Sequence, residues 1–381
     1  MATNDCAVKK GRWAASMLIG AALAAGLSAC GGGTSAPPAN ATAPEKEQYL
    51  NSTVDAVLAR AQPATAAGLS ILVVKDGKQV YQRSKGLARV EGRVALNAQS
   101  VFELASLSKP ITAIAIMQLR EKGLLSLDDS VLKWLPQLPP SWSGVTIHHL
   151  LSQQSGIPDY MTGMPTSMAS TLDGFDSASL MRLFAANGGL KFAPGASAEY
   201  TNSNFVLLAE IVVRASGMGF GAYLQAHVFK PVGMQSTYLF DDAVRPPVSV
   251  ALNFGTGSKT FGFTLATYGP TGIFSSVADL KLMVDALLAG ELVTLDSLAL
   301  MTTPQSPFPV VSSTYGYGFF VRPGSKPLSL FAHSGNLDGY RNILRINKER
   351  GVYYIILSNG GDATEKVTSE VLGILQALYE K

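Results

Sequence analysis

Two stretches of this chain place a serine three residues before a lysine, Ser106-Leu107-Ser108-Lys109 and Ser130-Val131-Leu132-Lys133. The chemistry within reach of such a pair is acyl transfer. A serine hydroxyl attacks a carbonyl only when a neighbour takes its proton, and a lysine stripped of water does so in its neutral form. Three residues is close to one helical turn, so on a helix the two side chains share a face. Chance supplies about one or two such spacings in a chain this long, so context has to separate them. Ser106 follows the extended-type run Val101-Phe102-Glu103-Leu104 and leads an apolar stretch carrying Ile111, Ile114, Met117 and Leu119. Pro110 fits only the first turn of that helix, which puts the helix start near Ser106, among free backbone N–H groups and the positive end of the dipole. Ser130 follows Asp128-Asp129 and precedes Leu132, Trp134 and Leu135, so it reads as a helix cap with Lys133 in solvent.

A second group capable of moving a proton is Tyr200, in Glu199-Tyr200-Thr201-Asn202-Ser203-Asn204. The Tyr-x-Asn spacing also occurs at Tyr49-Leu50-Asn51 and Tyr340-Arg341-Asn342, so the triplet alone is unspecific. Tyr49 falls on an expected surface helix and Tyr340 at the start of an expected strand. Tyr200 sits in a turn led by Pro194-Gly195 just before a helix, where a side chain can project into a cleft. A phenol beside a lysine titrates as part of a pair, and Tyr200 with Lys109 can shuttle a serine proton to a leaving group. A third group is Phe331-Ala332-His333-Ser334-Gly335-Asn336, expected at the end of a strand, where the glycine lets a substrate lie along the strand edge.

Other designs find no footing. There is no G-x-S-x-G elbow and no H-E-x-x-H, and the four histidines (148, 149, 227, 333) come without a usable cysteine, so neither a metal nor a cofactor is expected. His148 and His149 read as packing and surface residues beside Leu150 and Leu151. Gly217-Met-Gly-Phe-Gly221 lacks the preceding strand of a dinucleotide loop and reads as a helix stop.

The elements that must position these groups follow from pattern. Leu69 to Val74 and Gln79 to Gln82 flank Lys75-Asp76-Gly77-Lys78, a hairpin signature. At the far end, Tyr317 to Val321, Leu328 to Ala332, Tyr340 to Ile346 and Val352 to Leu357 are strand-like, with a turn at Lys348 to Gly351. Helices are expected at Glu45 to Arg60, Ile111 to Glu121, Asn204 to Arg214, Ala278 to Leu288 and Thr364 to Tyr379, with a capping box at Ser276-Val-Ala-Asp279. Strands at both ends and helices between them predict an α+β fold: one antiparallel sheet built from both termini, flanked by helices, with a mainly helical insertion. Connections as long as Gly156 to Gly174 and Asp241 to Gly269 suit the walls of a binding cleft.

The first thirty residues read as an export signal. Lys9, Lys10 and Arg12 precede an apolar run from Ala14 to Leu27 that is too short to span a bilayer easily, and Leu27-Ser28-Ala29-Cys30 follows. That segment resembles a bacterial lipobox, which implies lipidation of Cys30 after removal of residues 1–29 and anchoring of the chain to a bacterial membrane, facing the periplasm or cell surface. The only other cysteine, Cys6, lies in the discarded part, so no internal disulfide is expected. Residues 30–44 are Gly-, Pro- and Ala-rich and read as a tether, leaving 45–381 as the working domain. The formal charge of +3 falls to about +1 without Lys9, Lys10, Arg12 and Asp5, which removes any electrostatic case for nucleic acid; a monomer is expected.

Taken in order, Ser106-x-x-Lys109, Tyr200-x-Asn202 and His333-x-Gly335 resemble the active site of the penicillin-recognising serine hydrolases, in the branch of class C β-lactamases, DD-peptidases and esterases. Ile147 to Pro158, Gly272 to Leu280 and Tyr315 to Phe320 match in kind. The resemblance implies a β-lactamase/transpeptidase-like fold with Ser106 as nucleophile and Lys109 and Tyr200 as the proton-transfer pair. It implies Asn202 as a hydrogen-bonding group for the substrate amide, and His333, Ser334, Gly335 and Asn336 along the substrate strand. The oxyanion hole falls to the backbone N–H groups of Ser106 and Asn336. Class C β-lactamases usually carry lysine where this chain has His333, a group expected to be charged only part of the time near neutrality. The expected activity is therefore acyl-enzyme hydrolysis of an ester or a D-amino-acid peptide bond, on a small-molecule or peptidoglycan-like substrate, ahead of true β-lactam hydrolysis. A catalytically silent relative that binds wall peptide through the same cleft is the alternative from another class; its mark would be a lost motif residue, and none is lost.

Overall fold

The computed structural model describes residues 41–89, 91–161, 177–240, 267–307, 313–337 and 339–380. The export segment 1–29, Cys30 and most of the tether lie outside the described residues, as does most of the two long connections. The first helix, α1, spans Ala43–Ala61, and the Thr42 N–H donates to the Glu45 carboxylate at 2.7 Å. Ala43 and Pro44, expected in the tether, are thus its first turn; proline is well accommodated there because those N–H groups have no helical acceptor.

Strands β1 (Leu69–Lys75) and β2 (Lys78–Lys85) form the expected hairpin. Asp76 and Gly77 both take left-handed φ values, 51° and 75°, which gives the turn a twist that matches the strands. Strands β3 (Leu330–Leu337), β4 (Tyr340–Asn347) and β5 (Val352–Ser358) come from the other end of the chain. They join in the order β2-β1-β5-β4-β3, continued by the short strands Phe320–Val321, Thr314–Tyr315 and Ser306–Pro307. Ile71 faces Ile356 in the β1–β5 ladder, so the two ends of the chain are knit at the sheet centre. The α+β architecture expected from the sequence is the one observed.

Four further helices matter for the site: α2 (Ser108–Glu121), α3 (Asn202–Ser216), α4 (Val277–Ala289) and α5 (Glu365–Tyr379). Alternation along each strand assigns the layers. Leu69, Ile71, Val73, Tyr354 and Ile356 pack with Leu50 and Val54 of α1 and Val367, Val371 and Leu375 of α5. Leu72, Val74, Leu344, Ile355 and Leu357 turn the other way and join Ile111 and Ile114 of α2, Phe205 and Leu208 of α3 and Met283 of α4. This second layer, continuous with the helical insertion, is where the candidate residues gather.

Three boundaries differ from expectation in ways that bear on the site. Strand β3 begins at Leu330 and runs on to Leu337, so His333 to Asn336 lie within a strand and not at its end. Glycine, serine and asparagine are weak strand formers, and it is the complete ladder with β4 that holds them extended. The strand expected over Tyr317 to Val321 is confined to Phe320–Val321. Gly318, at φ +79°, turns the preceding residues onto α2, where a Cβ would lie 2.8 Å from Ala113 Cβ. Ser276 caps α4 by accepting from the Asp279 N–H at 3.1 Å, but the reciprocal half of the expected box is missing. The Asp279 carboxylate instead accepts from Ser236 N–H and the Thr237 hydroxyl, pinning another segment to the helix start.

Candidate active site

Ser106 occupies a 3-10 turn, Ala105–Leu107, that feeds directly into α2. Pro110 is the third residue of that helix, in the first turn where its missing N–H costs nothing. The short strand Phe102–Glu103 pairs with Ile273–Ser275 and fixes the approach to the turn. Lys109 is fully buried, and its Nζ lies 2.9 Å from Ser106 Oγ, 2.8 Å from Asn202 Oδ1 and 3.3 Å from the Pro270 carbonyl. The ring of Tyr200 stands 4.8 Å from that nitrogen and the ring of Phe205 5.7 Å from it. Loss of solvent pushes the Lys109 ammonium down to about 7, opposed by the negative charges of Asp159 and Glu103. At that value a large fraction is neutral amine near pH 7. With two N–H bonds going to Asn202 and Pro270, the lone pair of the neutral form is left to face the Ser106 hydroxyl.

Tyr200 and Asn202 bracket the start of α3, whose N-cap is Thr201, accepting from the Ser203 N–H. The Tyr200 phenol is within hydrogen-bonding reach of Ser106; burial raises its pKa well above the usual phenol range, aided by Asp159, so it stays protonated. The orientation of the Asn202 carboxamide is dictated by its neighbours. The Asp159 carboxylate can only accept, so Nδ2 donates to it at 3.0 Å and Oδ1 is left to meet Lys109. Asn202, expected to bind a substrate amide, links Lys109 to Asp159 here, with Nδ2 also 3.4 Å from Met161 Sδ. Asp159 also accepts from the Asn202 and Met161 N–H groups, both at 2.7 Å.

On β3, Gly335 faces the turn that carries Ser106. A Cβ there would sit 2.1 Å from the Leu104 carbonyl and 3.2 Å from Ala105 Cβ, so only glycine lets strand and turn meet. His333 shares that face, but its environment corrects the expectation of a part-time cation. It is 2% exposed, its Nδ1–H donates to the Ser334 carbonyl at 2.7 Å, and its Nε2 accepts from the Tyr315 hydroxyl at 2.9 Å. Burial and the charge of Lys109 push it down to about 3, so it is neutral near pH 7. Ser334 pairs with Ile343, which packs toward α5, so alternation carries the Ser334 side chain to the opposite face from Gly335. Asn336 follows Gly335 on the same strand and is partly exposed. The ladder with Phe320–Val321 covers only Phe331 and Ala332.

The competing motifs lie elsewhere and have structural partners. Ser130 caps the turn Val131–Trp134 and Lys133 pairs with Asp129 at 2.8 Å. Tyr49 is on α1, and Asn342 is buried, donating to the Glu103 carbonyl at 2.8 Å. His148 is bonded to the Tyr317 hydroxyl at 2.7 Å and His149 to the Thr146 N–H at 3.2 Å. Gly217 ends α3 in a left-handed conformation. Among the described residues no group of three or more His, Cys, Asp or Glu is placed to hold a metal ion. The residues that sequence reasoning passed over are Asp159, Glu103 and Tyr315. Each stood inside a quoted stretch, but only the folded chain shows them buried around Lys109 and His333.

A family model described as Beta-lactamase matches residues 55–378. Penicillin-binding protein 4* of Bacillus subtilis is 30% identical over 314 residues, 78% of this chain and 69% of that protein. Esterase EstB of Burkholderia gladioli is 35% identical over 201 residues, 49% of this chain and 50% of the esterase. Among solved structures, a penicillin-binding protein from Bacillus halodurans superposes with a TM-score of 0.72 at 24% identity, covering 84% of this chain and 99% of its own. A D-amino acid amidase from Ochrobactrum anthropi does so at 0.71 and 23%, covering 86% and 98%. These last two likenesses concern the fold. With the family model spanning nearly the whole described region, and a penicillin-binding protein aligned over most of its length, the chain belongs to the beta-lactamase family.

Proposed function

We propose that this protein is a serine hydrolase that works through an acyl-enzyme on Ser106, cleaving ester or amide bonds. The observation that carries the reading is the 2.9 Å approach of a fully buried lysine nitrogen to Ser106 Oγ. Neutral Lys109 takes the hydroxyl proton as Oγ bonds to the substrate carbonyl carbon. The carbonyl oxygen, now negative, is held by the backbone N–H groups of Ser106 and Asn336. Collapse of this intermediate expels the leaving group, which receives the proton from Lys109 by way of the Tyr200 hydroxyl. Water then hydrolyses the acyl-serine by the same route in reverse.

A neutral His333, engaged by Tyr315 and its own strand, supplies no cation for a substrate carboxylate. We infer that esters and D-amino-acid amides or peptides, including peptidoglycan fragments, are better substrates than β-lactams. The names of the relatives span penicillin-binding protein, esterase and D-amino acid amidase, in keeping with that range. We further propose that the chain is exported, lipidated on Cys30 and active as a membrane-tethered monomer. The activity is tested by kcat/KM on a p-nitrophenyl ester, a D-Ala-D-Ala peptide and a chromogenic cephalosporin, with Ser106→Ala as control. The ester or peptide is expected to lead; rapid turnover of the cephalosporin alone would reverse the order.

A further inference from the structure

Glu103 is a carboxylate that the reaction above leaves without a role, yet it is fully buried directly behind the turn that carries Ser106. Its Oε2 accepts from the Ala105 N–H at 2.6 Å and its Oε1 from the Gly272 N–H at 2.9 Å. Ala105, immediately before Ser106, has φ +51°, a left-handed conformation that residues with a Cβ disfavour and that persists only where neighbours impose it. Gly272 lies two residues beyond Pro270, whose carbonyl takes a hydrogen bond from Lys109. One carboxylate therefore ties the backbone that presents Ser106 to the segment that holds Lys109. Both of its contacts are N–H donors, so both bonds are strongest to the ionised form and favour it against burial, which pushes the carboxyl up to about 7.

We propose that Glu103 is a positioning residue for the acyl transfer: as a carboxylate it clamps Ala105 in the left-handed turn and so sets Ser106 against Lys109. The inference rests on the reading of Ser106 as nucleophile. The charged and titratable groups around Lys109 are Glu103 behind the turn, Asp159 through Asn202, Tyr200 from the α3 side and His333 from β3. Glu103 and Asp159 both favour the protonated lysine. Removing the charge at 103 weakens the hold of Lys109 on its proton, so the acid limb of kcat/KM moves to lower pH while turnover falls because the clamp is broken.

The test compares Glu103→Gln and Glu103→Asp in the full chain, using a p-nitrophenyl ester across the acid-to-alkaline range. A fluorophosphonate counts Ser106 sites, so that rates are per competent site. Glu103→Gln keeps one acceptor and turns an NH2 toward the other N–H. Its kcat is expected to fall about 10- to 100-fold with KM little changed, and its acid limb to move to lower pH. Glu103→Asp keeps the charge but is one methylene short of bridging both donors; its kcat is expected to fall with the limb near its wild-type position. Lost stability alone would reduce the number of labelled sites without moving the limb. An unmoved limb in Glu103→Gln overturns the proposal; if that variant does not fold, wild-type kcat per site in Glu103→Asp overturns it. Failure of the wild-type protein to label at Ser106 would instead overturn the nucleophile assignment.

Discussion

The Tyr315 hydroxyl lies 2.9 Å from His333 Nε2 while Nδ1–H of the same ring donates to the Ser334 carbonyl, and burial together with the charge of Lys109 keeps this imidazole neutral. Folded, the group sits at about 3; unfolded, it returns toward 6.5. Between those values the unfolded chain binds the extra proton, so stability falls as the pH drops through that window, by up to about 1.4 kcal/mol per pH unit. Glu103, raised by burial to about 7 from 4.5, contributes with the opposite sign over much of the same range. Comparison with His333→Gln isolates the histidine: urea midpoints of the variant are expected to fall less steeply toward acid than those of the wild type. Parallel slopes would show that His333 takes up a proton in the folded chain.

Lys109, pushed down to about 7, is expected to give a kcat/KM that rises with pH through neutrality as the amine loses its proton. Lys109→Arg holds a charge but cannot act as a base, because a guanidinium stays protonated throughout the working pH range. Ester turnover is expected to drop by about 1,000-fold or more. Retention of a tenth of the wild-type rate would remove Lys109 from the chemistry.

Gly335→Ala places a methyl 2.1 Å from the Leu104 carbonyl, so β3 must withdraw from the turn of Ser106. A displacement on the order of 1 Å is expected to lower kcat/KM about 100-fold. Circular dichroism should remain that of the wild type, since the β3–β4 ladder survives. Wild-type kinetics in this variant would separate β3 from the reacting centre.

Asp159→Asn leaves a carboxamide where Asn202 offers two N–H groups and Met161 a third. The carboxamide keeps its oxygen for the two Asn202 donors only by turning its NH2 against the Met161 N–H, and the negative charge that favours protonated Lys109 is lost. A fall in kcat of about tenfold or more, with an acid limb displaced to lower pH, is expected in the pH–rate profile. An unchanged profile would mean that the Asp159 charge does not act on Lys109.

How much of this was legible in the sequence differs from residue to residue. Pro110 and the apolar spacing behind it located the start of α2, and the Asp76-Gly77 turn located the hairpin, because both signals are local. The spacing puts Ser106 and Lys109 on one face, but the same spacing at Ser130 leaves Lys133 paired with Asp129. It is burial, with the bonds to Asn202 and Pro270, that turns Lys109 to the serine. His333 was placed by type and order, yet its charge was misjudged, because burial under Tyr315 depends on residues 18 positions away that sequence cannot bring together. The same holds for Asn202, whose partner Asp159 is 43 residues upstream. The end of β3 was missed because a complete partner strand overrides the weak propensity of Ser334, Gly335 and Asn336.

The acylation of Ser106 is most directly tested by treating the purified domain with a serine-reactive fluorophosphonate and locating the adduct by peptide mass spectrometry. Stoichiometric labelling on the peptide that carries Ser106, lost in Ser106→Ala and slowed in Lys109→Arg, is expected. Stoichiometric labelling of the Ser106→Ala protein would contradict the assignment.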